Sequence, residues 1–483
     1  MFDIRPVLFA NGVLLLVLAM AMGATLLLDL AVAGSEAPAF AAAAFVTAFA
    51  GGALALSGRG RGRFGLGGRQ TFLFAASGAV LAAMFSALPL ILGSRHLSLM
   101  DALFEAISGI TTTGATVLTH LDDAPAALLL WRALLQWLGG AAVVTAAILL
   151  LPMMRIGGMQ VFRMEYSSAE RDKAPRRMPR VLGRILLLYL LITVALALAL
   201  RLAGMTALEA VCHAMSSIST GGFSTSDSSL AKFGPAARWL CVAGMLLGGV
   251  NLAMFTRTAR SKRWRLFKDT QIRWYLVTIL GFALLLTFWF WAVEGMAAGG
   301  AMQRAVFQAV SFLSTSGLRV TDDHGWGGFP QVAAFVMSFI GGCTGSAAGG
   351  IKIFRFEVLF ASSRLHVARM LHPHGVFFVT FNRLRLPEAV LRSVLGFFML
   401  YFCCFAALAI GLAIAGLDPL SSLSAAAAAM GNVGSGIGPV VGVAGGYAAL
   451  PASAKALLAF GMLIGRLELA PILVLLMPSF WKD

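Results

Sequence analysis

The sequence predicts an all-α protein that crosses a membrane many times, with four helix–pore loop–helix repeats in a pseudo-four-fold arrangement and two extra transmembrane helices before them. Of its 483 residues, 59% are hydrophobic and only 12% are charged, which lies far outside the range of soluble domains. A short phrase of small residues ending in glycine recurs four times. Apolar stretches long enough to cross a bilayer flank each copy of this phrase.

The four phrases are about a hundred residues apart, which indicates one repeat used four times. In the first three copies an Ala-x-Ser triplet precedes the final glycine at a constant distance, and this alignment favours Gly222 over Gly221 as the end of the second copy. The four terminal glycines are Gly114, Gly222, Gly317 and Gly434.

Each phrase has the composition that a cation filter needs, because an ion in a narrow pore must exchange its water for backbone carbonyls from surrounding loops. The preceding apolar stretch of about a dozen residues spans about 18 Å, half of a bilayer core, and its carbonyl end favours a cation. A phrase that merely ends a helix is the alternative for any single copy. The expected potassium ligands are Thr112, Thr113, Gly114, Thr220, Gly221, Gly222, Thr315, Ser316, Gly317, Asn432, Val433 and Gly434.

The apolar pattern predicts ten membrane-spanning helices. Residues 1–69 contain two of them, at about 7–30 and 39–56, and the repeats follow at 70–180, 181–271, 272–387 and 388–483. The predicted first helices of the repeats cover 70–93, 182–203, 272–294 and 388–415. The predicted second helices cover 126–152, 235–256, 330–355 and 452–478.

Basic residues predict the orientation of the chain. Segments 59–69, 155–184, 257–273 and 352–392 contain 26 of the 37 Lys and Arg residues, and the positive-inside rule makes such linkers cytoplasmic. Both termini are then expected inside and the filters outside. The net charge of +16 does not indicate a nucleic-acid partner, because the chain has no soluble domain of useful size.

Acidic residues follow the first three phrases and are expected on the outer side. They could form a ring that concentrates cations, or they could only solvate external turns, and the sequence leaves both possibilities open. These residues are Asp122, Asp123, Asp227, Asp322 and Asp323.

A second repeated feature lies in the second helices, where a glycine pair occurs near mid-span. The fourth copy replaces the second glycine with arginine, giving Gly465-Arg466. In the third copy the run 341–350 is too rich in glycine and small residues for a lipid-facing helix, and we expect an intramembrane loop under the filter. Arg466 in an apolar helix costs about 2.5–3.5 kcal/mol, so a partner is expected, and Glu468, two residues on, is poorly placed to supply it.

The residues carry a family resemblance along nearly the whole chain. Matching stretches are 108–117, 136–140, Gly157-Gly158-Met159-Gln160, 341–352 and 465–468. The sequence resembles the Trk/Ktr/HKT superfamily of potassium transport proteins, and most closely its bacterial TrkH-type pore subunits.

The resemblance implies a multi-pass protein of the bacterial inner membrane, typically a homodimer surrounded by lipid. It also implies a cytoplasmic regulatory subunit with nucleotide-binding RCK domains, which sets the open probability. Nothing in this chain resembles a nucleotide site, so any nucleotide control is expected to come from that subunit. The loop at 341–350 would be a gate opposed by Arg466. The implied gating residues are Gly341, Gly342, Gly345, Ser346, Gly349, Gly350, Lys352 and Arg466.

Two departures from the family pattern affect the filter. The third phrase continues as Leu318-Arg319, which places a positive charge near the mouth and predicts weaker potassium affinity. The fourth phrase has Asn432 and lacks the threonine of the other copies.

The sequence therefore predicts potassium uptake through a gated, channel-like pore, with K+ as the transported ion and no organic cofactor. A sodium or mixed sodium/potassium pathway on the same fold is the alternative. In related plant proteins a serine in the first filter accompanies sodium preference, so Gly114 favours potassium. No combination of nucleophile, base and metal ligands indicates an enzyme.

Overall fold

The computed structural model describes residues 3–59, 66–149, 174–258, 268–320, 327–375, 377–382, 384–438, 440–441 and 446–481. Within these residues the chain is almost entirely helical, and its two short strands, Thr380–Phe381 and Leu384–Arg385, pair in one antiparallel hairpin. Seven of the described helices are long and apolar enough to cross a membrane. The expected all-α, multi-pass fold is confirmed.

Two N-terminal helices, Arg5–Ala31 and Ala37–Ser57, form an antiparallel pair before the repeats. Each helix begins with a proline in its first turn, where the missing N–H has no intrahelical partner to lose. Their backbones approach closely at Gly12, because a Cβ there would collide with the backbone of Ala55. The pair packs against the first repeat.

Each repeat opens with a long helix followed by a short pore helix. The long first helices are Gly68–Leu92, Ala174–Leu202, Thr270–Ala292 and Glu388–Ile414. The pore helices are Leu99–Ile110, Ala207–Ile218, Ala298–Leu313 and Pro419–Gly431. Side chains of Ser98, Thr206 and Asp418 cap three of the pore helices at their N-termini, which defines where those helices begin.

The second helices differ from the expected continuous spans. Only that of repeat 1, Ala126–Leu149, is described as one long helix. In repeats 2, 3 and 4 the second helix is broken, giving Pro235–Gly249 with Leu252–Thr258, Gly328–Met337 with Ile353–Leu371, and Ala452–Arg466 with Ala470–Leu476. Short helices at Leu121–Asp123 and Pro478–Trp481 complete the described elements.

The breaks in repeats 2 and 4 correct the expected spans 235–256 and 452–478. In repeat 2, Val250 is extended, and the side chain of Asn251 accepts a hydrogen bond from the Ala253 N–H at 3.0 Å, which starts a new helix. In repeat 4, Glu468 and Leu469 have φ values of 56° and 61°, which a right-handed helix cannot accommodate.

The pore helices lie in the interior of the protein, and the first helices face outward. Phe104, Ala210 and Phe307, one from each of three pore helices, are all buried. Large apolar side chains on the first helices, such as Leu198 and Phe288, are more than half exposed, as expected for residues that contact lipid. This arrangement directs the C-terminal end of each pore helix toward the centre of the molecule.

Candidate functional site

All four filter phrases adopt the same turn after the pore helix. The residue two before the terminal glycine is left-handed in every copy, and so is the glycine, with φ between 70° and 86°. In each copy the N–H before the glycine donates to a carbonyl five residues upstream, at 2.8–2.9 Å. These bonds join Thr113 to Ser108, Gly221 to Ser216, Ser316 to Ser311 and Val433 to Ala428.

The departure in the fourth phrase does not change this conformation. Asn432 has a φ of 52°, close to the values of 51° for Thr112, 53° for Thr220 and 61° for Thr315. Asparagine tolerates the left-handed region better than a β-branched residue does. The fourth phrase therefore reaches the shared turn with a residue better suited to it than threonine.

The four terminal glycines form a closed ring. A Cβ on Gly114 would collide with the carbonyl oxygen of Gly221. In every repeat the terminal glycine lies against the carbonyl oxygen of the residue that precedes the terminal glycine of the next repeat. The other three glycine–carbonyl contacts join Gly222 to Ser316, Gly317 to Val433 and Gly434 to Thr113. The last contact returns to the first repeat, so the segments meet in the order 1, 2, 3, 4. Only glycine leaves room for this approach.

A cavity of about 370 Å³ lies against the ring, and all four terminal glycines line it together with residues that follow the phrases. Two charged residues of the segments after the phrases, Asp227 and Arg319, also line this vestibule. Arg319 therefore lies at the mouth, where the sequence predicted a positive charge. Asp227 accepts a hydrogen bond from the Leu121 N–H at 3.1 Å.

The sequence left undecided whether the acidic residues form a ring, and those that the structure describes do not form a continuous one. Asp122 pairs with Lys232 at 3.2 Å, and Lys232 also contacts Glu209 at 3.2 Å. Hydrogen bonds to these two carboxylates raise the pKa of the Lys232 ammonium, so it stays charged. Asp122 thus stabilises the turn that contains Ser226 and Lys232. Asp322 and Asp323 lie outside the described residues.

An irregular segment between Ile340 and Lys352 lies directly beneath the filter, as the glycine run predicted. The N–H groups of Cys343 and Ala347 donate to the carbonyls of Gly249 and Gly248, at 2.9 and 3.1 Å. Those carbonyls are free to accept because the second helix of repeat 2 ends there. The break in repeat 2 therefore supplies partners for the irregular backbone of repeat 3.

The same loop also contacts the filter turns. The Gly349 N–H donates to Thr315 Oγ1 at 2.6 Å. A Cβ on Gly349 would lie 2.6 Å from the Gly431 carbonyl oxygen and 2.7 Å from the Cβ of Asn432. The loop is therefore packed against the filter turns of repeats 3 and 4.

Two cations hold consecutive carbonyls of this loop. Arg466 donates from Nη2 to the Ala347 oxygen at 2.8 Å, and Lys352 Nζ donates to the Ala348 oxygen. Glu468 pairs instead with Arg355, at 2.5 Å, so the expectation that it is a poor partner for Arg466 is confirmed. Gly341, Gly342, Gly345, Ser346, Gly349 and Gly350 all belong to the loop, and their roles in gating stay predictions.

The sequence assigned no role to three polar residues behind the first two filter turns, although one of them, Gln136, lies in the matching stretch 136–140. Gln136 donates to the Gly221 carbonyl at 2.6 Å and accepts from the Phe223 N–H at 3.1 Å. Arg132, four residues earlier on the same helix, pairs with Glu105 of the first pore helix. The available signal was a pair of polar residues, Arg132 and Gln136 at i and i+4, in an otherwise apolar span.

The stretch Gly157–Gln160, which also carried the family resemblance, lies outside the described residues.

Comparison with known proteins agrees with this geometry. A family model described as a cation transport protein, TrkH, matches residues 37–482. The Trk system potassium uptake protein TrkI of Halomonas elongata is 39% identical over 416 residues, covering 86% of this chain and 84% of that protein. The TrkH protein of Escherichia coli is 33% identical, with 86% of each chain covered.

A solved structure also matches over the full length. It is the crystal structure of the potassium transporter TrkH from Vibrio parahaemolyticus, with a TM-score of 0.92, 32% sequence identity and 100% of both chains covered. The chain therefore belongs to the TrkH family of cation transport proteins.

Proposed function

We propose that this chain is the pore-forming subunit of a Trk-type potassium uptake system. The closed ring of four glycine-ended turns carries this proposal, because it gathers backbone from all four repeats around one path. The relatives named as potassium uptake proteins support the choice of ion. The protein needs no organic cofactor for this function, since transport changes no covalent bond.

The pore helices and the filter carbonyls both present negative partial charge to a passing cation. A cation in the vestibule meets the C-terminal ends of four pore helices, whose partial negative charge offsets part of the cost of dehydration. Carbonyls of the filter turns then replace the water shell. The membrane potential drives uptake and contributes about 2.3 kcal/mol per elementary charge per 100 mV.

We further propose that the loop of residues 340–352 is the gate and that Arg466 holds it closed. The loop lies against the filter turns, and the hydrogen bond between Arg466 and Ala347 fixes its lower part. Lys352 holds the next carbonyl in the same way. A displaced loop would free the path below the filter, while the ring above kept its shape.

The working assembly is proposed to be a homodimer in the bacterial inner membrane, with both termini in the cytoplasm. A cytoplasmic subunit with RCK domains would supply nucleotide control by pulling on the gate. The basic linkers, which contain most of the Lys and Arg residues, support the orientation.

Flux into liposomes tests the ion choice. Purified protein should carry rubidium, a potassium analogue, well above sodium, and Gly114→Ser should raise the sodium-to-rubidium flux ratio about tenfold or more. The physical reason is that a side chain on Gly114, at a φ of 85°, strains the turn and displaces the Gly221 carbonyl.

Gly281→Ser is the matched control, because nothing lies within 4 Å of a Cβ at Gly281. Equal sodium and rubidium flux through the unchanged protein would instead favour the mixed sodium/potassium pathway. An unchanged ratio in folded Gly114→Ser would contradict the assignment of the ring as the filter.

A further inference from the structure

A buried ion pair between Glu105 and Arg132 joins the first two filter turns. The residues at the matching positions of the other three repeats do not include two opposite charges. Arg132 lies on the second helix of repeat 1, and Glu105 lies on the pore helix of the same repeat. Their side chains are only 2% and 1% exposed, and Nε donates to Oε1 at 2.8 Å. A buried ion pair of this kind needs further hydrogen bonds to offset its desolvation.

Those further bonds go to the segments that follow the filter glycines. Glu105 accepts from the Thr116 hydroxyl at 2.9 Å and from the Val117 N–H at 2.9 Å, so it holds the segment after Gly114. Arg132 Nη1 donates to the Ser224 carbonyl at 2.9 Å, in the segment after Gly222. One carboxylate and one guanidinium therefore connect two neighbouring filter turns.

The guanidinium is held in a single orientation. Its Nη2 donates to Thr116 Oγ1 at 3.1 Å, and its Cζ lies over the ring of Phe223, 4.1 Å from the ring centre. Each of its three nitrogens thus has a partner, and the aromatic ring covers one face. A planar, fixed donor group sets distances more strictly than a flexible ammonium can.

Matching positions in the other repeats carry no comparable pair. Glu105 is nine residues before its filter glycine, and the residues at that spacing in repeats 2 to 4 are His213, Gln308 and Ala425. Arg132 is seven residues before its glycine pair, and the corresponding residues are Cys241, Ala334 and Leu458. The fold does not require an ion pair at this place, so its presence at one junction needs its own explanation.

We propose that Glu105 and Arg132 are positioning residues for ion selectivity, which set the spacing between the first and second filter turns. Ion choice in a carbonyl ring depends on the distance and stiffness of neighbouring carbonyls. The Gly221 carbonyl lies against Gly114, so the contact between these two turns is part of the ring itself. Loosening the pair widens this contact and lets the ring adapt to sodium. The inference rests on the proposed potassium pore.

The deciding variant is the double substitution Glu105→Gln with Arg132→Met. The introduced glutamine would retain an acceptor for Thr116 and Val117, and the introduced methionine would leave no unpaired buried charge, so folding is spared. The link to Ser224 is cut. We expect the sodium-to-rubidium flux ratio per folded molecule to rise about tenfold, a change of about 1.4 kcal/mol. A pair needed only for folding would leave this ratio unchanged.

The matched control is Lys455→Met. It breaks another partly buried ion pair, Lys455 with Asp101 at 2.6 Å, which lies in the first turn of the same pore helix, one turn before Glu105. The ratio should stay at its original value in this variant. An equal rise in Lys455→Met would show general loosening of the pore helix and would overturn the proposal.

A milder variant keeps the proposal testable if the double variant does not fold. Thr116→Val removes one hydroxyl that contacts both charged residues and should give a smaller rise in the ratio. A ratio unchanged in every folded variant would refute the positioning role and leave the potassium pore intact. Absence of any rubidium flux in the unchanged protein would instead remove the proposed function.

Discussion

Threonine is an unusual residue for the left-handed position of the filter turns, because its branched side chain crowds the backbone there. Three of the four copies nevertheless have it, and all four residues at this position are buried. Such a conformation costs about 1–3 kcal/mol per residue and persists only where the surroundings hold it. In the third copy the Thr315 hydroxyl accepts the loop's Gly349 N–H, so this strained residue also meets the proposed gate.

Among single residues of the proposed gate, Arg466 gives the clearest test: Arg466→Ala should increase rubidium flux in the absence of any regulatory subunit. The substitution removes the hydrogen bond to Ala347 and a half-buried positive charge beside the proposed gate. A hydrogen bond from a charged group contributes about 1.5–3 kcal/mol, which corresponds to about ten- to a hundredfold in rate. Arg466→Lys keeps the charge but loses the planar donor group, so its flux should lie between that of the unchanged protein and that of Arg466→Ala.

The measurement for Arg466 is flux normalised to folded protein in liposomes. This normalisation separates the gate from the alternative, because a purely structural role of Arg466 predicts less folded protein and no gain in flux per molecule. Lower flux per folded molecule in Arg466→Ala would refute the gate.

At the scale of elements, the broken second helices fit together. The break in repeat 2 leaves the carbonyls of Gly248 and Gly249 free, and the loop of repeat 3 uses them. The break in repeat 4 puts Glu468 beside Arg355, which lies in the first turn of the helix after the loop. Each irregular segment thus satisfies polar groups of another, as membrane-embedded backbone requires.

Deleting residues 345–348 tests the loop as an element. The deletion removes Ala347 and Ala348, the carbonyls held by Arg466 and Lys352, and it shortens the segment packed under the filter. Basal rubidium flux should rise about tenfold or more, because the path below the ring is no longer filled. Deleting residues 372–375, which lie beyond the end of the following helix, removes the same length and should leave flux unchanged. Unchanged flux in a folded 345–348 deletion would contradict the gating role.

The sequence predicted the repeats, the pore helices and the loop of repeat 3 because each leaves a local signal. The filter turns were visible as repeated phrases, and the loop was visible as a glycine run. The breaks at Asn251 and Glu468 were not predicted, because both interrupt apolar stretches whose composition still suits a continuous helix. Glu105 and Arg132 were missed because they lie 27 residues apart, and the Ser224 carbonyl that Arg132 binds is a further 92 residues away, so these groups meet only in the folded ring.

At the scale of the whole molecule, a ring of four similar segments is built from unequal parts. The junction between repeats 1 and 2 has a buried ion pair, whereas repeat 3 has Arg319 at the vestibule. Identical subunits could not vary each junction separately, but one chain with four repeats can. This freedom allows the vestibule, the filter and the gate to be adjusted independently.

The orientation of the whole molecule is the last prediction, and it follows from charge. Arg59 and Arg69 flank the linker after the second N-terminal helix, whereas Glu36 lies in the short connection between the first two helices. By the positive-inside rule the linker faces the cytoplasm and the connection faces outward. Alkaline phosphatase, which is active only outside the cytoplasm, should therefore be active when fused after residue 35. It should be inactive when fused after residue 69 or after residue 483.

Green fluorescent protein fused at the same three positions should give the opposite pattern, since it fluoresces when it folds in the cytoplasm. An inverted pattern with both reporters would place the filters on the inner side. The pore helices would then direct their carbonyl ends toward cations arriving from the cytoplasm, and the proposed direction of uptake would be wrong. Because phosphatase and fluorescence require opposite compartments, agreement between them excludes a fusion that is inactive merely through misfolding.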